Sequence, residues 1–203
     1  MRVTGGHLKG RIIPTQFANH VRPSTDRVRE SLFNSIEHQK GIADTTVLDL
    51  FSGSGIIALE FLTRDAQAVY SIDLDKKNIA HQKHIAKSWD LHPWHIATGN
   101  ALTPITTLAK NRLPGFEVGE SSSKLENQST GLTESAVPIL FDIIFDDPPY
   151  DMPNIQGLPQ LLMPLLAPDG WLIIEHKPQL VFAEQEFAKK EYGSTTMTIF
   201  VQE

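Results

Sequence analysis

Short apolar runs alternate with amphipathic stretches from residue 46 onward, and this alternation constrains the fold more than any other feature of the chain. The predicted elements, in chain order, are a strand to Phe51, a helix to about Thr63, a strand to Asp73, a helix to about Ser88, a strand to Asn100 and a helix to about Arg112. Such alternation is typical of a parallel sheet with helices on both faces. The sequence therefore predicts an α/β fold.

The remainder of the chain adds further strands. The predicted elements there are an apolar strand beginning at Phe141, a helix around Gln156–Leu166, a turn at Pro168–Gly170, a strand at Trp171–Glu175, and a turn at Tyr192–Gly193 before a closing strand. Between the two halves lies the polar segment 114–138, which has almost no helical or strand periodicity. Such a segment is predicted to be a mobile, exposed insertion.

Residues 1–40 are predicted to form a small extension of a main domain at 41–203. Glycines and β-branched residues between Arg2 and Pro14 predict a hairpin, and capping residues at 22–26 predict the start of an amphipathic helix. The extension holds seven basic and three acidic residues, a net charge of +4, so a chain of net charge −6 leaves −10 for the rest. A basic arm that contacts phosphates would thus precede an acidic catalytic body.

Composition excludes several other classes of protein. The 203 residues, 40% hydrophobic and 21% charged, fit one globular domain with its own core. No run approaches the roughly 20 apolar residues of a membrane span, and the amino terminus lacks the apolar core of a signal peptide, so a cytoplasmic location is expected. The absence of cysteine excludes disulfides and thiol nucleophiles. The histidine pairs His81/His84 and His92/His95 have no third ligand nearby, so no metal site is predicted.

A glycine-rich turn follows the first strand of the alternation. Asp49 lies near the end of that strand, and Gly53 and Gly55 leave the following backbone open to a ligand. The spacing of Gly53, Gly55 and Ala58 also fits the dinucleotide fingerprint, so the glycines alone do not separate NAD from other adenosine cofactors. A carboxylate at Asp49 would repel a pyrophosphate and suits the α-ammonium and sulfonium groups of S-adenosylmethionine. The turn therefore favours S-adenosylmethionine.

The next two strands also end in polar residues. Asp73 follows the glycines by about 20 residues, the spacing at which a carboxylate binds ribose hydroxyls, although an aspartate there is also an ordinary helix cap. Asn100 would either bond the adenine edge or form a turn with Gly99. Ligands in parallel sheets bind beyond the carboxyl ends of the strands, where these residues are predicted to meet Asp49 and Asp147.

The strand that begins at Phe141 leads into the tetrapeptide Asp147-Pro148-Pro149-Tyr150. Two prolines end a strand and hold the following backbone rigid. An amine on a flat ring could donate hydrogen bonds to the Asp147 carboxylate and the Pro148 carbonyl while the ring stacks on Tyr150. The same four residues also form ordinary turns, but the glycine-rich turn favours a site. Because methyl transfer to pyrimidine C5 generally needs a cysteine, transfer to an amine or oxygen remains.

Four segments resemble the RsmD family, the bacterial 16S ribosomal RNA (guanine-N2)-methyltransferases, and the resemblance extends over nearly the whole chain. These segments are Arg22–Asn34, Asp49–Gly55, Asp147–Tyr150 and Tyr192–Thr195. The resemblance implies a Rossmann-like, seven-stranded, S-adenosylmethionine-dependent methyltransferase fold. It also implies a monomer that methylates one guanine of 16S ribosomal RNA in a partly or fully assembled small subunit. Asn100 departs from the family, which usually has an acid there, and 114–138 is longer than the usual loop.

The predicted site residues follow from the motifs and this resemblance. The catalytic set is Asp147, Pro148, Pro149 and Tyr150; the cofactor-binding set is Asp49, Phe51, Gly53, Ser54, Gly55, Asp73, Leu74, Asn100 and Ala101; the RNA-binding set is Lys9, Arg11, Arg22, Arg27 and Arg29. Arg27 and Arg29 lie off the apolar stripe of the first helix, where they would either touch nucleic acid or be solvated.

Three alternative functions fit part of the pattern. A DNA adenine-N6 methyltransferase uses the same Asp-Pro-Pro-Tyr chemistry, although the chain leaves little room for a DNA-recognition domain. An NAD-dependent dehydrogenase would share the glycine turn, and Asp49 argues against it. A non-catalytic RNA-binding assembly factor would share the fold, and the intact tetrapeptide argues against that.

Overall fold

The computed structural model describes residues 1–14, 25–102 and 139–202. The amino-terminal segment forms the predicted hairpin, with an antiparallel bridge between Arg2 and Ile12. The first helix, α1 (Asp26–Gln39), begins after Thr25, whose hydroxyl accepts a hydrogen bond from the Val28 amide. The buried Leu32, Phe33 and Ile36 give α1 its apolar face.

Strands and helices then alternate as the sequence predicts. The elements are β1 (Thr46–Leu50), α2 (Ile56–Leu62), β2 (Ala68–Asp73), α3 (Lys76–Ser88), β3 (Trp94–Thr98), β4 (Phe141–Asp146), α4 (Leu158–Leu162), β5 (Leu166–His176), β6 (Ala188–Tyr192) and β7 (Thr195–Val201). Short 3-10 turns at Ile155–Gly157 and Met163–Leu165 flank α4. In the described part of the chain, no helix is long and apolar enough to cross a membrane.

The strands form one seven-stranded sheet in the order β3-β2-β1-β4-β5-β7-β6. The first five strands pair in parallel, and β7 pairs antiparallel with both β5 and β6. The chain moves outward from β1 to β3 on one side and continues with β4 on the other side of β1. A crevice opens at such a reversal of strand order, beyond the carboxyl ends of the central strands.

Both faces of the sheet are covered, because alternate residues of each buried strand point to opposite sides. One core packs the hairpin and helices α1 to α3 against residues such as Val47, Phe145 and Ile173. The other core packs α4 and Phe182 against residues that include Leu48 and Ile174. The predicted α/β fold with helices on both faces is confirmed.

Three details differ from the sequence-based expectations. The predicted helix at 156–166 is a short helix between two 3-10 turns, since Pro159 and Pro164 interrupt helical hydrogen bonding. The predicted turn at 168–170 lies within β5 as an irregularity, because Phe141 pairs with Leu166 whereas Ile143 pairs with Trp171. Strand β6 was missed because its residues alternate between half-buried and exposed positions without an apolar period. The predicted helix to Arg112 and the insertion at 114–138 lie outside the described residues.

Candidate active site

The carboxyl ends of β1, β2 and β4 place the predicted aspartates at one edge of the sheet. Asp49 is the fourth residue of β1, and its neighbours in the sheet are Ser71 of β2 and Phe145 of β4. Asp73 ends β2, and Asp147 directly follows β4. Since β1 and β4 flank the reversal of strand order, these side chains surround the crevice where such sheets bind ligands.

The glycine loop after β1 is held from both sides. The Gly53 amide donates to Asp73 Oδ2 at 2.7 Å, and the side-chain amide of buried Gln82 donates to the Gly53 carbonyl and to Ser52 Oγ, each at 2.9 Å. Gly55 has φ +77°, and a Cβ there would lie 2.8–2.9 Å from Gln82 Cγ and the Trp94 ring. Both the backbone conformation and the close approach of Trp94 therefore require glycine at position 55.

Other predicted cofactor residues surround this loop. Phe51 has φ +54°, an uncommon conformation for a bulky residue, and lies half-buried where the loop leaves β1. Ser54 is buried and its hydroxyl lies 3.7 Å from Met1 Sδ, so the amino terminus packs on the loop. Leu74 is 65% exposed directly after Asp73, which places an apolar surface beside the loop.

Asp49 lies beneath the loop and is 1% exposed. Burial raises the pKa of its carboxyl well above the ordinary value, and the nearby carboxylates of Asp73 and Asp146 raise it further. Hydrogen bonds from the Ala58 amide and from the Ser71 hydroxyl, which lies 3.5 Å from Oδ2, oppose this rise. A cation placed above the loop would favour the ionised form of Asp49.

Asp73 accepts three hydrogen bonds from the protein besides its predicted role. Its Oδ2 accepts from Gly53, and its Oδ1 accepts from the Asp75 amide at 2.7 Å and from Asn78 Nδ2 at 3.3 Å. The helix cap of α3 is Asp75, not Asp73. A carboxylate has about four lone-pair sites, so capacity remains for a hydroxyl donor beside the loop.

Asn100 forms the turn that was one of its two predicted roles. Its Oδ1 accepts from the Leu102 amide at 3.0 Å, and its side chain is exposed. The neighbouring Ala101 is 2% exposed and belongs to the core under the sheet. Any contact from Ala101 to a ligand would therefore involve its backbone rather than its methyl group.

The tetrapeptide after β4 forms a rigid turn. Pro148 is buried and Pro149 is exposed, and the Pro149 carbonyl accepts from the Met152 amide at 2.8 Å. The Tyr150 hydroxyl donates to Glu175 Oε1 at 3.3 Å and forms a short hydrogen bond with Thr195 Oγ1. Residues of β5 and β7 therefore fix the position of the Tyr150 ring.

The carboxyl of Asp147 lies at the mouth of the crevice. Asp147 is exposed to solvent on one side, and protein surrounds its carboxyl on the other sides. This partial desolvation raises its pKa, and the carboxylates of Glu175, Asp146 and Asp49 raise it further. Solvent at the mouth screens part of the effect. A ligand that brings positive charge or hydrogen-bond donors would favour the ionised forms of these carboxyls.

Asp146 lies one residue before the tetrapeptide and is fully buried. It is flanked in the sheet by Leu50 and Ile174, and within the described residues neither of its carboxyl oxygens has a hydrogen-bond partner. Burial raises the pKa of Asp146 to about 8. The carboxyl is therefore predominantly neutral at pH 7, which avoids the cost of an unpaired buried charge.

We expect D146N to make the protein's stability less dependent on pH. Between pH 4 and pH 8 the unfolded chain releases the Asp146 proton while the folded protein retains it, so wild-type stability falls as pH rises. Asparagine has no proton to retain. The free energy of unfolding of D146N, relative to wild type, should rise by on the order of 5 kcal/mol over this range. Urea unfolding at each pH measures it.

The matched control for D146N is D151N, which removes a carboxylate from an exposed turn close by in sequence. D151N should follow the wild-type curve. Parallel curves for wild type and D146N would show that the pKa of Asp146 is the same in the folded and unfolded protein, and so is not raised by burial.

The predicted RNA-binding residues divide into two groups. Lys9, Arg11 and Arg27 are exposed; Lys9 lies 3.6 Å from Glu30, and the Arg11 guanidinium stacks 4.1 Å from the centroid of the Trp89 ring. Arg22 lies outside the described residues. The remaining member, Arg29, requires a correction.

Arg29 is fully buried, so the prediction that it contacts RNA is wrong for this fold. Its Nε donates to buried Glu60 at 2.8 Å, and its Nη2 donates to Asp26 at 2.8 Å and to the Arg2 carbonyl at 2.5 Å. Arg29 therefore joins α1 to the hairpin and to α2. Arg29 lies three, four and seven residues before Leu32, Phe33 and Ile36, so it shares the buried face of α1. The predicted position off the apolar stripe is therefore also wrong.

Sequence reasoning missed several residues that shape the site. Gln82 and Trp94 contact the glycine loop from α3 and β3, and nothing in their local sequence indicates this contact. Glu175 and Thr195 position Tyr150 from β5 and β7. Glu175 had a detectable signal, because it ends an apolar strand in an acid as Asp49 and Asp73 do. Lys177 also lies near the site, with its Nζ 5.8 Å from the centroid of the Tyr150 ring.

Comparisons with known proteins place the chain in a family. The model of the family described as Conserved hypothetical protein 95 matches residues 1–114 and 103–201. Ribosomal RNA small subunit methyltransferase D of Escherichia coli (strain K12) is 31% identical over 186 residues, which cover 92% of this chain and 75% of that protein. Uncharacterized methylase RP545 of Rickettsia prowazekii is 30% identical over 195 residues, covering 85% of this chain and 80% of that protein.

The fold is shared with solved structures. The Escherichia coli protein named "Putative methyltransferase yhhF" superposes with a TM-score of 0.74 at 24% identity, covering 100% of this chain and 98% of that one. The resemblance indicated by the sequence motifs is thus confirmed, and the chain belongs to the RsmD family, whose model is described as Conserved hypothetical protein 95.

Proposed function

We propose that this protein transfers a methyl group from S-adenosylmethionine to the N2 amine of one guanine in 16S ribosomal RNA of the small ribosomal subunit. The observation that supports it most is the position of Asp147, Pro148 and Tyr150 at the edge of the same crevice as the glycine loop. Membership of a family that includes a ribosomal RNA small subunit methyltransferase supports the class of substrate.

The glycine loop fits S-adenosylmethionine better than a dinucleotide. The pKa values of Asp49 and Asp147 are raised at this edge of the sheet, so a sulfonium and an α-ammonium bound there would favour and be attracted to the ionised carboxyls, whereas a pyrophosphate would add a further negative charge beside them. The Asp73 carboxylate retains capacity for ribose hydroxyls, and exposed Leu74 offers an apolar surface to the adenine ring. When bound, the cofactor supplies a methyl group attached to a positively charged sulfur. Loss of that methyl group leaves S-adenosylhomocysteine, in which the sulfur is neutral.

The tetrapeptide would hold the guanine amine in line for transfer. The Asp147 carboxylate and the Pro148 carbonyl would accept its two hydrogens, directing the nitrogen lone pair toward the methyl carbon. The N2–CH3 bond forms as the sulfur–CH3 bond breaks, and sulfur keeps the bonding pair. Because the guanine amine is a poor nucleophile, alignment supplies much of the rate. Asp147 stabilises the developing positive charge and then accepts the N2 proton, which passes to solvent.

Tyr150 would stack on the guanine base once the base is extruded from the RNA. Extrusion costs a few kilocalories per mole from a stacked helix and less from a loop. The bonds to Glu175 and Thr195 fix the ring before the base arrives, so little ordering remains to be done on binding. Exposed Lys9, Arg11 and Arg27 would contact the RNA backbone from the hairpin and α1.

The test is methyl transfer from radiolabelled S-adenosylmethionine to small subunits, to 16S RNA and, in a separate reaction, to DNA from cells that lack this gene, followed by nucleoside analysis. We expect N2-methylguanosine, formed in one position. Label in N6-methyladenine of DNA would identify the DNA enzyme instead. Measurable cofactor binding without transfer to any RNA would identify a non-catalytic assembly factor.

A further inference from the structure

We infer that Glu175 is a specificity-determining residue that reads the N1–H group of the target guanine, beside Asp147, which receives the N2 amine. This inference rests on the proposed function and adds a second contact to the same site. Asp146 of β4 pairs with Ile174 of β5 in parallel. Asp147 and Glu175 are the next residues along the two chains, so they lie side by side at the carboxyl ends of these strands. This register brings the two residues together, in agreement with the effect of Glu175 on the pKa of Asp147.

The two oxygens of Glu175 have different surroundings. Oε1 accepts from Thr195 Oγ1 at 2.9 Å and from the Tyr150 hydroxyl at 3.3 Å. No residue in the described ranges donates a hydrogen bond to Oε2. The bonds at Oε1 fix the carboxyl in place, and Oε2 remains available as an acceptor. Burial raises the pKa of Glu175, and the hydrogen bonds from Thr195 and Tyr150 oppose that rise. A further donor at Oε2, such as guanine N1–H, would favour the ionised form.

The Watson–Crick edge of guanine matches a pair of acceptors. It presents N1–H and the N2 amine side by side, whereas adenine presents an N1 acceptor next to its N6 amine. When the N2 amine of guanine is bound to Asp147, guanine N1–H would donate to Glu175 Oε2. When the N6 amine of adenine is bound there instead, the lone pair of adenine N1 would face the same oxygen. A carboxylate at Glu175 therefore favours guanine and opposes adenine, which share the Asp-Pro-Pro-Tyr chemistry otherwise.

The experiment compares guanine with 2-aminopurine at the methylated position. Once the wild-type reaction has located that position, splinted ligation gives 16S RNA carrying either base there. 2-Aminopurine keeps the N2 amine and has an acceptor at N1 instead of a donor. We expect wild-type kcat/KM to be about 10- to 100-fold lower for 2-aminopurine than for guanine, the range for a hydrogen bond to a charged group.

The variant that tests the role of Glu175 is E175Q. Glutamine Oε1 can still accept from Thr195 and Tyr150, while its Nε2 takes the place of Oε2 and donates. We expect E175Q to lose about 10- to 100-fold on guanine and to equal or exceed wild type on 2-aminopurine, so that the preference reverses. The matched variant Y150F removes the hydroxyl bonded to Glu175 and should lower both rates without reversing the preference.

The outcomes separate this inference from the proposed function. Equal losses of E175Q on both bases, with thermal unfolding unchanged, would make Glu175 only a support for Tyr150 and would overturn the inference alone. Absence of N2-methylguanosine from every wild-type reaction would overturn the proposed function, and the inference with it.

Discussion

D147A should lose methyl transfer by about 10³-fold or more while binding S-adenosylhomocysteine with wild-type affinity. Alanine removes the acceptor for one amine hydrogen, the carboxylate that stabilises the developing charge, and the group that accepts the departing proton. Single-turnover methyl transfer to small subunits measures the first quantity and calorimetric titration measures the second. The methyl-transfer rate should fall without a change in cofactor affinity because Asp147 follows β4 at the mouth of the crevice, whereas the glycine loop is held by Asp73 and Gln82.

Two further variants sharpen this result. D147N keeps a carbonyl acceptor for the amine without the charge, so its rate should lie between those of wild type and D147A. D151A removes an exposed carboxylate four residues along the chain and should transfer methyl groups at the wild-type rate. If D147A methylates normally, the assignment of Asp147 is wrong. If it loses cofactor binding as well, Asp147 acts on the cofactor and not on the base.

The second large effect is on stability: R29A should lower the free energy of unfolding by about 3–5 kcal/mol. Arg29 is fully buried and donates to Glu60, which is also fully buried. Glu60 additionally accepts from the Thr4 amide, the Thr4 hydroxyl and Arg64. Removal of Arg29 leaves Glu60 with fewer donors in a site closed to water, and it also removes a donor from partly exposed Asp26 and from the Arg2 carbonyl. Urea unfolding, followed by circular dichroism, measures the loss.

R27A is the matched control, because Arg27 lies on the same helix and is exposed. R27A should change the free energy of unfolding by less than about 0.5 kcal/mol. It should weaken RNA binding, and the slope of the logarithm of the binding constant against the logarithm of salt concentration should decrease in magnitude by about one if Arg27 contacts one phosphate. Wild-type stability of R29A, combined with weaker RNA binding, would contradict the buried network and restore a direct RNA contact for Arg29.

The contrast between Arg27 and Arg29 shows where sequence reasoning ends. Both are basic, and both belong to the segment of net charge +4. Helical periodicity separates them, because Arg29 shares the face of Leu32 and Phe33 whereas Arg27 lies on the opposite side of α1. Periodicity does not identify the residues that pair with a charged group on the buried face. The hairpin and α2 bury Arg29, and only their packing in three dimensions reveals an ion pair between residues 31 apart.

The sequence alone determined the alternation of strands and helices, the glycine loop, and the positions of Asp49, Asp73 and Asp147 at strand ends. These features depend on local signals: apolar periodicity, glycine and proline conformations, and the rule that carboxyl ends of parallel strands share one edge. The missed strand β6 has no such local signal. It exists because β7 presents an unpaired edge to it.

Tertiary structure alone decided which residues meet at the site. Gln82 and Trp94 reach the glycine loop from other elements, and Thr195 of β7 reaches Tyr150 after β4. Neighbouring strands in the sheet bring Glu175 beside Asp147, although 28 positions separate them in the chain. Contacts between residues far apart in sequence depend on strand order and register, which no single segment encodes, so they could be read only from the folded chain.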